Sequence, residues 1–223
     1  MNRTIQKLAC GALAGLWSLV AAGEEITWVG CGISKLGYMQ ALTAAFEKKS
    51  GTAITMQGGG ATRGLRDVSG GESSLGGSCR LPLLNATGNA AIREESNVRL
   101  LPLGWDSLVV ITHPDNTSVS DVSLEQLRKV LTGEITRWSE LGGADRPINL
   151  YVRKGKSSGV GRTLRQQLYD DADADFSPGA LVKRSSGVIE AAVESDPNAL
   201  AVSGISSSRH RKVRMLSLDG IGP

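Results

Sequence analysis

Leu75–Pro82 reads LGGSCRLP, and two further turns share its character: VGCGIS at 29–34 and RKGKSSGVG at 153–161. Each lies between an apolar, strand-like run and the start of a helical pattern. In a parallel α/β fold, such turns bring backbone N–H groups and small hydroxyls to one crevice at the carboxyl ends of the strands. A helix start leaves its first N–H groups without intrahelical partners and carries the positive end of the helix dipole, so each is a seat for an anion. Together the three turns predict an α/β chain closing around a small oxyanion.

The first 22 residues stand apart from this pattern. Arg3 and Lys7 supply a basic start, Leu8–Ala22 is nearly all apolar or small, and Val20-Ala21-Ala22 precedes Gly23. That is the pattern of a signal peptide, too short and wrongly flanked for a durable membrane span, with a retained anchor as the alternative. Lys7 stands where lipidation of Cys10 would want an aliphatic residue. The chain is therefore expected in the periplasm. Two basic and no acidic residues leave with the segment, lowering the formal charge from +3 to +1. Such a balance gives no general argument for nucleic acid or membrane surfaces as partners. Aromatic residues are 4% of the chain against 28 glycines, which suits binding by turns rather than by stacking surfaces. Cys31 and Cys79 remain, in an oxidising compartment.

Working outward, Ile26–Val29 reads as a first strand, and Ser34 starts a helix through about Lys49 with Leu36, Met39, Leu42 and Phe46 on its buried side. Ala53–Met56 is a second strand, broken by Gly58-Gly59-Gly60 before a short helix carrying Thr62, Leu65 and Val68. A short third strand near Leu75, a helix within 86–96 and a fourth strand at Val98–Leu103 follow. Leu108–Ile111 is the strongest strand pattern in the chain. Ser123 with Gln126 forms a capping box for a helix carrying Leu124, Leu127, Val130 and Leu131, stopped by Gly133. Ile148–Val152, Ala199–Val202 and Val213–Leu218 read as strands, with helices over 159–169 and Val188–Val193. Alternation of strands and helices favours mostly parallel sheets flanked by helices.

The candidate anion donors are Cys31, Gly32, Ile33 and Ser34 in the first turn, Gly60, Ala61 and Thr62 in the second, and Ser78, Cys79 and Arg80 in the third. Ser157, Ser158, Gly159 and Val160 form the fourth, with Arg153 supplying a directed, bidentate positive charge. Arg80 either reaches the ion or braces the opposite lobe. Each turn taken alone is also an ordinary glycine turn capped by a hydroxyl. GGGATRG at 58–64 lacks the Lys-[Ser/Thr] ending of a nucleotide phosphate loop. His113 and His210 are the only histidines, without ligand spacing or a nucleophile elbow nearby. Asp170–Asp175 lacks the glycine and terminal glutamate of a calcium loop, and Arg209–Lys212 reads as solvated charge. The residues point to binding rather than to an enzyme, and they call for no metal and no cofactor.

At this point the chain resembles the periplasmic phosphate-binding proteins of ABC importers, within the type II solute-binding fold. LGGSCRLPL looks like the family's strand-turn segment, and LEQLRKVLTGEITRW at 124–138 closely matches a segment of its central lobe. Arg153 with Ser157-Ser158-Gly159 resembles the arginine and Ser-Gly-Thr turn that grip the anion. Residues 191–202 resemble a later small-residue segment. The resemblance implies two α/β lobes, lobe I from residues 23–104 and 204–223 and lobe II from 105–203. It also implies an ion buried between helix starts, a monomer, and a membrane permease of an ABC transporter as partner.

Carried over residue by residue, Cys79 sits where many phosphate binders have an aspartate, and Val160 replaces a threonine. Cysteine is a weak acceptor and is uncharged when protonated, which loosens selectivity for phosphate over sulfate. Relatives generally continue beyond Leu218–Pro223. Because Cys31 and Cys79 would lie in two turns at the mouth of the cleft, a disulfide between them is expected, with two free buried thiols as the alternative. The sequence therefore reads as a binding protein for phosphate or a similar tetrahedral oxyanion. A sensor without transport and a secreted phosphoryl-transfer enzyme or other hydrolase are the alternatives.

Overall fold

The computed structural model describes residues 25–223. The signal-peptide expectation therefore lies outside the described residues. Two sheets organise the rest: a three-stranded sheet in the order β2-β1-β3 and a six-stranded sheet in the order β5-β9-β4-β8-β6-β7.

The first sheet is parallel throughout. β1 (Ile26–Gly30) pairs with β2 (Ile54–Gly58) on one side and with β3 (Leu75–Gly77) on the other. After β1 the chain turns at Cys31 into α1 (Gly32–Ser34), a π-helical stretch (Lys35–Met39) and α2 (Gln40–Ser50). Leu42 and Phe46, expected on the buried side, are 49% and 40% exposed, because little else packs on that side of α2. α3 (Ala61–Ser69) lies against β1 and β3 at a glycine crossing. A Cβ at Gly64 would stand 2.7 Å from the Gly77 carbonyl oxygen and 2.8 Å from that of Val29, so only glycine lets the helix backbone meet the strands there.

Two expected elements are missing. Residues 86–96 hold only a 3-10 turn, Arg93–Glu95, because Asn85, Thr87 and Asn89 bond one another and the local backbone in place of a helix. Val98–Leu103 forms no strand: Pro102 lacks an N–H donor, and Leu101 and Leu103 stay 67% and 62% exposed.

The second sheet carries the main core. β4 (Leu108–Thr112) is antiparallel to β8 (Ala199–Gly204) and to β9 (Arg214–Leu218), while β6 (Asn149–Arg153) runs parallel to β8 and to β7 (Leu181–Lys183). β5 (Asp121–Val122) closes the edge beside β9. Side chains alternate across this sheet, as its period of two requires. Val110, Leu150, Leu200 and Leu216 enter one core with Trp138, α4 (Leu124–Thr132) and α5 (Gly159–Tyr169), whereas Val109, Ile111, Ala199 and Ala201 enter a second against α6 (Ser186–Ser195). The Ser123–Gln126 capping box forms as expected, and Gly133 ends α4 with φ +85°.

The C-terminal segment departs from expectation. α7 (Ile205–Ser208) does approach the first helix, with Ser206 against Gly37, but Arg214–Leu218 joins the six-stranded sheet and not the first. There Leu216 enters one core of that sheet and Met215 packs against the other.

Replacing Gly64 with Val should force α3 off β1 and β3 and cost about 1–3 kcal/mol, a typical overpacking penalty. Urea unfolding monitored by tryptophan fluorescence measures this; an unchanged midpoint would contradict the close backbone contact.

Candidate functional site

Four helix starts meet in one place. α1, α3, α5 and α6 begin beside a pocket lined by Cys31, Gly32, Gly60, Ala61, Cys79, Arg153, Gly159, Val160, Ser185 and Ser186. Each helix follows a strand of one of the two parallel ladders, which is why the turns arrive at the same end. A second recess, sharing Gly60 and Arg153, opens outward past Gly59, Thr62, Lys154, Ser157, Ser158 and Arg184. Neither set contains a carboxylate, and three of its members are cationic. Such a field favours an approaching anion.

Arg153 ends β6 and points into the junction. It is 9% exposed, and its Nη1 has no hydrogen-bond partner. Burial draws its pKa below the ordinary arginine value, with the neighbouring thiols acting in the opposite direction. Gly60, at φ +89°, holds the backbone close to this guanidinium: a Cβ there would lie 3.1 Å from Nη2. Ser158 caps α5 with extended dihedrals, yet its hydroxyl makes no capping bond. Its Oγ is buried and likewise without a partner. A buried guanidinium and a buried hydroxyl lacking partners, beside unpaired helix-start amides, form a donor set suited to several oxygens of one small anion.

The two sides are tied together beneath this pocket. Arg80 donates from Nε to the Ser157 carbonyl at 2.8 Å, and Thr62 donates to the same oxygen at 2.8 Å. Arg80 is itself held by Glu95, with Nη1–Oε2 at 2.7 Å and Nη2–Oε1 at 2.8 Å. The Leu83 N–H and Arg66 complete the shell of this fully buried carboxylate. Burial alone would raise the Glu95 pKa. The bonds from Arg80 and Leu83, the Arg80 charge and the Arg66 bond outweigh it and hold the carboxyl below its ordinary value.

Cys31 and Cys79 face each other in the pocket wall. Both are free cysteines, so the expected disulfide is not formed. The Cys79 thiol beside it, the nearby N–H groups of Ser34 and Ile33 and the Arg153 charge bring Cys31 down to about 7 against the opposing effect of burial. The Cys31 sulfur and burial hold Cys79 well above the usual thiol range.

Of the residues singled out from sequence, Cys31, Gly32, Gly60, Ala61, Cys79, Arg153, Gly159 and Val160 line the inner pocket, and Thr62, Ser157 and Ser158 the outer recess. Ile33 packs in the small apolar cluster with Cys31 and Val160, and Ser34 is buried in the first helix. Ser78 donates its hydroxyl to the Arg80 carbonyl at 2.6 Å, so it braces its own turn. Arg80 braces the opposite side and does not line the pocket. Sequence reasoning missed Ser185 and Ser186 as pocket residues. Their signal was present: Ser157-Ser158-Gly159-Val160 recurs as Ser185-Ser186-Gly187-Val188, after neighbouring parallel strands. Among the described residues, no group of three or more His, Cys, Asp or Glu is placed to hold a metal.

A family model described as the PBP superfamily domain matches residues 29–221. The phosphate-binding protein PstS of Bacillus subtilis is 29% identical over 213 residues, covering 91% of this chain and 66% of that protein. A phosphate-binding protein PstS of Borreliella burgdorferi is 24% identical over 137 residues, 58% of this chain and 48% of that protein. The chain thus spans less than the full length of both curated relatives. A crystal structure of a Clostridium perfringens protein with bound phosphate superposes with a TM-score of 0.73 at 24% identity, over 89% of this chain and 77% of the other. An ABC-type phosphate transport receptor from Vibrio cholerae gives 0.56 at 24% identity, over 90% and 78%. These two likenesses show the fold: two α/β units with helices flanking central sheets.

Glu95→Gln should leave Arg80 as a buried, uncompensated charge and cost about 3–5 kcal/mol. The lowered Glu95 pKa makes its contribution fully present above the ordinary value of 4.5 and lost as pH falls through the folded value. Wild-type denaturation midpoints should therefore drop below that pH more steeply than those of the variant; parallel pH profiles would contradict the assignment.

Proposed function

This chain belongs to the PBP superfamily, and from that premise we propose that it captures phosphate or a similar tetrahedral oxyanion outside the cytoplasm and delivers it to the permease of an ABC importer. The observation that carries this reading is Arg153, whose buried guanidinium has no carboxylate beside it and an Nη1 without a partner. A charge buried in this way is stable only if a counter-charge joins it. The neighbouring groups are all suited to donate: helix-start N–H groups at Gly32, Ala61, Gly159 and Ser186, and the free Ser158 hydroxyl. The names of the curated relatives, both phosphate-binding proteins, support the ligand class.

Capture in this reading proceeds by closure. Arg80 and Thr62 reach from the first unit to the Ser157 carbonyl of the second, and Gly159 lies against Cys79 so closely that a Cβ would stand 2.4 Å from its sulfur. These contacts cross the cleft only when the two units are together. An anion bridging Arg153 and the first-unit helix starts adds further contacts to that state, which is what shifts the population toward it. Water expelled on closure strengthens each donor contact through the lower local dielectric. Lys154 and Arg184 at the outer rim supply the attraction during approach.

No carboxylate lines the pocket to accept a ligand proton. Sulfate, which carries no proton, should therefore compete with phosphate. Equilibrium dialysis with labelled phosphate tests both points. Arg153→Ala should weaken binding at least about 100-fold, the loss expected for two charge-assisted hydrogen bonds, while far-ultraviolet circular dichroism stays native-like. Unchanged affinity in the folded variant would reject this site.

A further inference from the structure

The outer recess carries more positive charge than capture of a single phosphate needs. Arg153, Lys154 and Arg184 all line it, and no carboxylate does. Cations just beside it are treated differently: Lys156 is paired with Asp175 at 2.8 Å, and Arg162 with Asp173 at 3.3 Å. Among the described residues, none of the three recess cations has an ion-pair partner. The fold sets two of them side by side. Arg153 is in register with Lys183 across the parallel β6–β7 ladder, and the Lys154 N–H donates to the Lys183 carbonyl at 2.8 Å. Lys154 and Arg184 therefore leave adjacent strands at the same level. Like charges so placed repel each other, and an anion between them turns the repulsion into attraction.

Size points the same way. The inner pocket has a free volume of about 10 Å³, room for one water-sized group, whereas the outer recess has about 170 Å³. The two meet at Gly60 and at Arg153, whose buried Nη1 has no partner. Ser158 Oγ, also buried and without a partner, belongs to a residue of the outer recess. An anion that sends one oxygen into the inner pocket thus keeps the rest of its body outside, beside Lys154 and Arg184. A neutral sugar or alkyl tail on that anion leaves both charges unmatched. No aromatic residue lines either space to stack on a base. What fits is a second anionic group joined to the first.

We propose that the outer recess is a second phosphate subsite and that this protein takes condensed phosphate, of which inorganic diphosphate is the smallest form. One phosphate sits on Arg153 and Ser158, and the other between Lys154 and Arg184. This rests on the oxyanion reading above and narrows its ligand from a lone tetrahedral ion to linked ones. Arg153 is the shared residue, since a guanidinium donates in several directions and can hold oxygens of both phosphates. Neutral donors in the outer recess are scarce. The N–H groups of Gly59 and Gly60 both go to the Gly30 carbonyl, and Thr62 gives its proton to the Ser157 carbonyl. The Ser157 hydroxyl, 3.3 Å from Thr62 Oγ1, keeps its own proton to donate. Charge therefore carries the second subsite. A lone phosphate cannot neutralise three cations and leaves Lys154 and Arg184 in water, whereas two linked phosphates reach them.

Calorimetric titration of the full chain in metal-free buffer compares inorganic phosphate with inorganic diphosphate. Two added charge-assisted contacts, each worth about tenfold, predict diphosphate binding about 100-fold tighter than phosphate. The double variant Lys154→Gln/Arg184→Gln weakens both anions, because the attraction at the rim is lost, so the quantity read is their ratio. It should fall to about one while circular dichroism stays native-like. Lys48→Gln/Lys49→Gln removes the same charge from the exposed end of α2 and should keep the preference. Arg153→Ala should weaken both anions. Equal affinity for the two in the wild type overturns the proposal and leaves the oxyanion reading standing. So does a preference that the Lys154/Arg184 variant retains, or one that the Lys48/Lys49 variant loses equally. Diphosphate binding that survives Arg153→Ala lies elsewhere and also overturns it. Diphosphate binding without phosphate binding supports it, provided the ratio test holds. If neither anion binds, the oxyanion reading itself fails, and the proposal with it.

Discussion

A guanidinium buried without a carboxylate is the constraint around which this molecule is arranged. Arg153 sits at the end of β6 with an unpartnered Nη1, and no residue lining its pocket carries a carboxylate. Desolvating such a charge is costly unless a counter-charge and hydrogen bonds join it. The strand that carries Arg153 lies between β8 and the edge strand β7 in a sheet packed on both faces. Its neighbour Gly60 takes a backbone conformation that brings the α3 start against the guanidinium. In the proposed reading its partner is an anion from solution.

The second arginine behaves in the opposite way, and the contrast explains the division of labour. Arg80 has its carboxylate, Glu95, and both are almost completely shielded from water. Paired and hydrogen-bonded on all sides, it has no charge left to offer a ligand. Its remaining Nε donor reaches the Ser157 carbonyl and fixes the turn that ends at Ser158. One arginine positions the site and the other is available to bind. Two residue types that look alike in a sequence are separated by whether an acid lies within reach.

Much of this was legible before any coordinates. The parallel strands, the capping box at Ser123, and the gathering of three Gly/Ser turns follow from periodicity and turn chemistry, which are local. What escaped the sequence depends on pairing across the chain. Val98–Leu103 has strand-like residues, but a strand needs a neighbour, and Pro102 weakens any ladder it would join. Residues 214–218 read correctly as a strand, yet nothing local says which sheet receives it; its pairing with β4 and the packing of Leu216 and Met215 on that sheet's two faces do. Ser78 is a candidate donor by its turn, and Arg80 reads as either ligand or brace; the Glu95 carboxylate 15 residues away decides for the brace. Ser185 and Ser186 were missed although they repeat the 157–160 turn, because β7 before them is only three residues long and its pattern is weak.

The central claim is that Arg153 and Ser158 hold a tetrahedral oxyanion, and the most direct measurement is to locate that ion. Crystals grown with molybdate, whose metal scatters anomalously, give its position independently of the protein. The account predicts one dominant peak in the pocket, within hydrogen-bond reach of Arg153 Nη1 and Ser158 Oγ and facing the starts of α1, α3, α5 and α6. A dominant peak elsewhere, or a pocket that stays free of molybdate at saturating concentration, would contradict it.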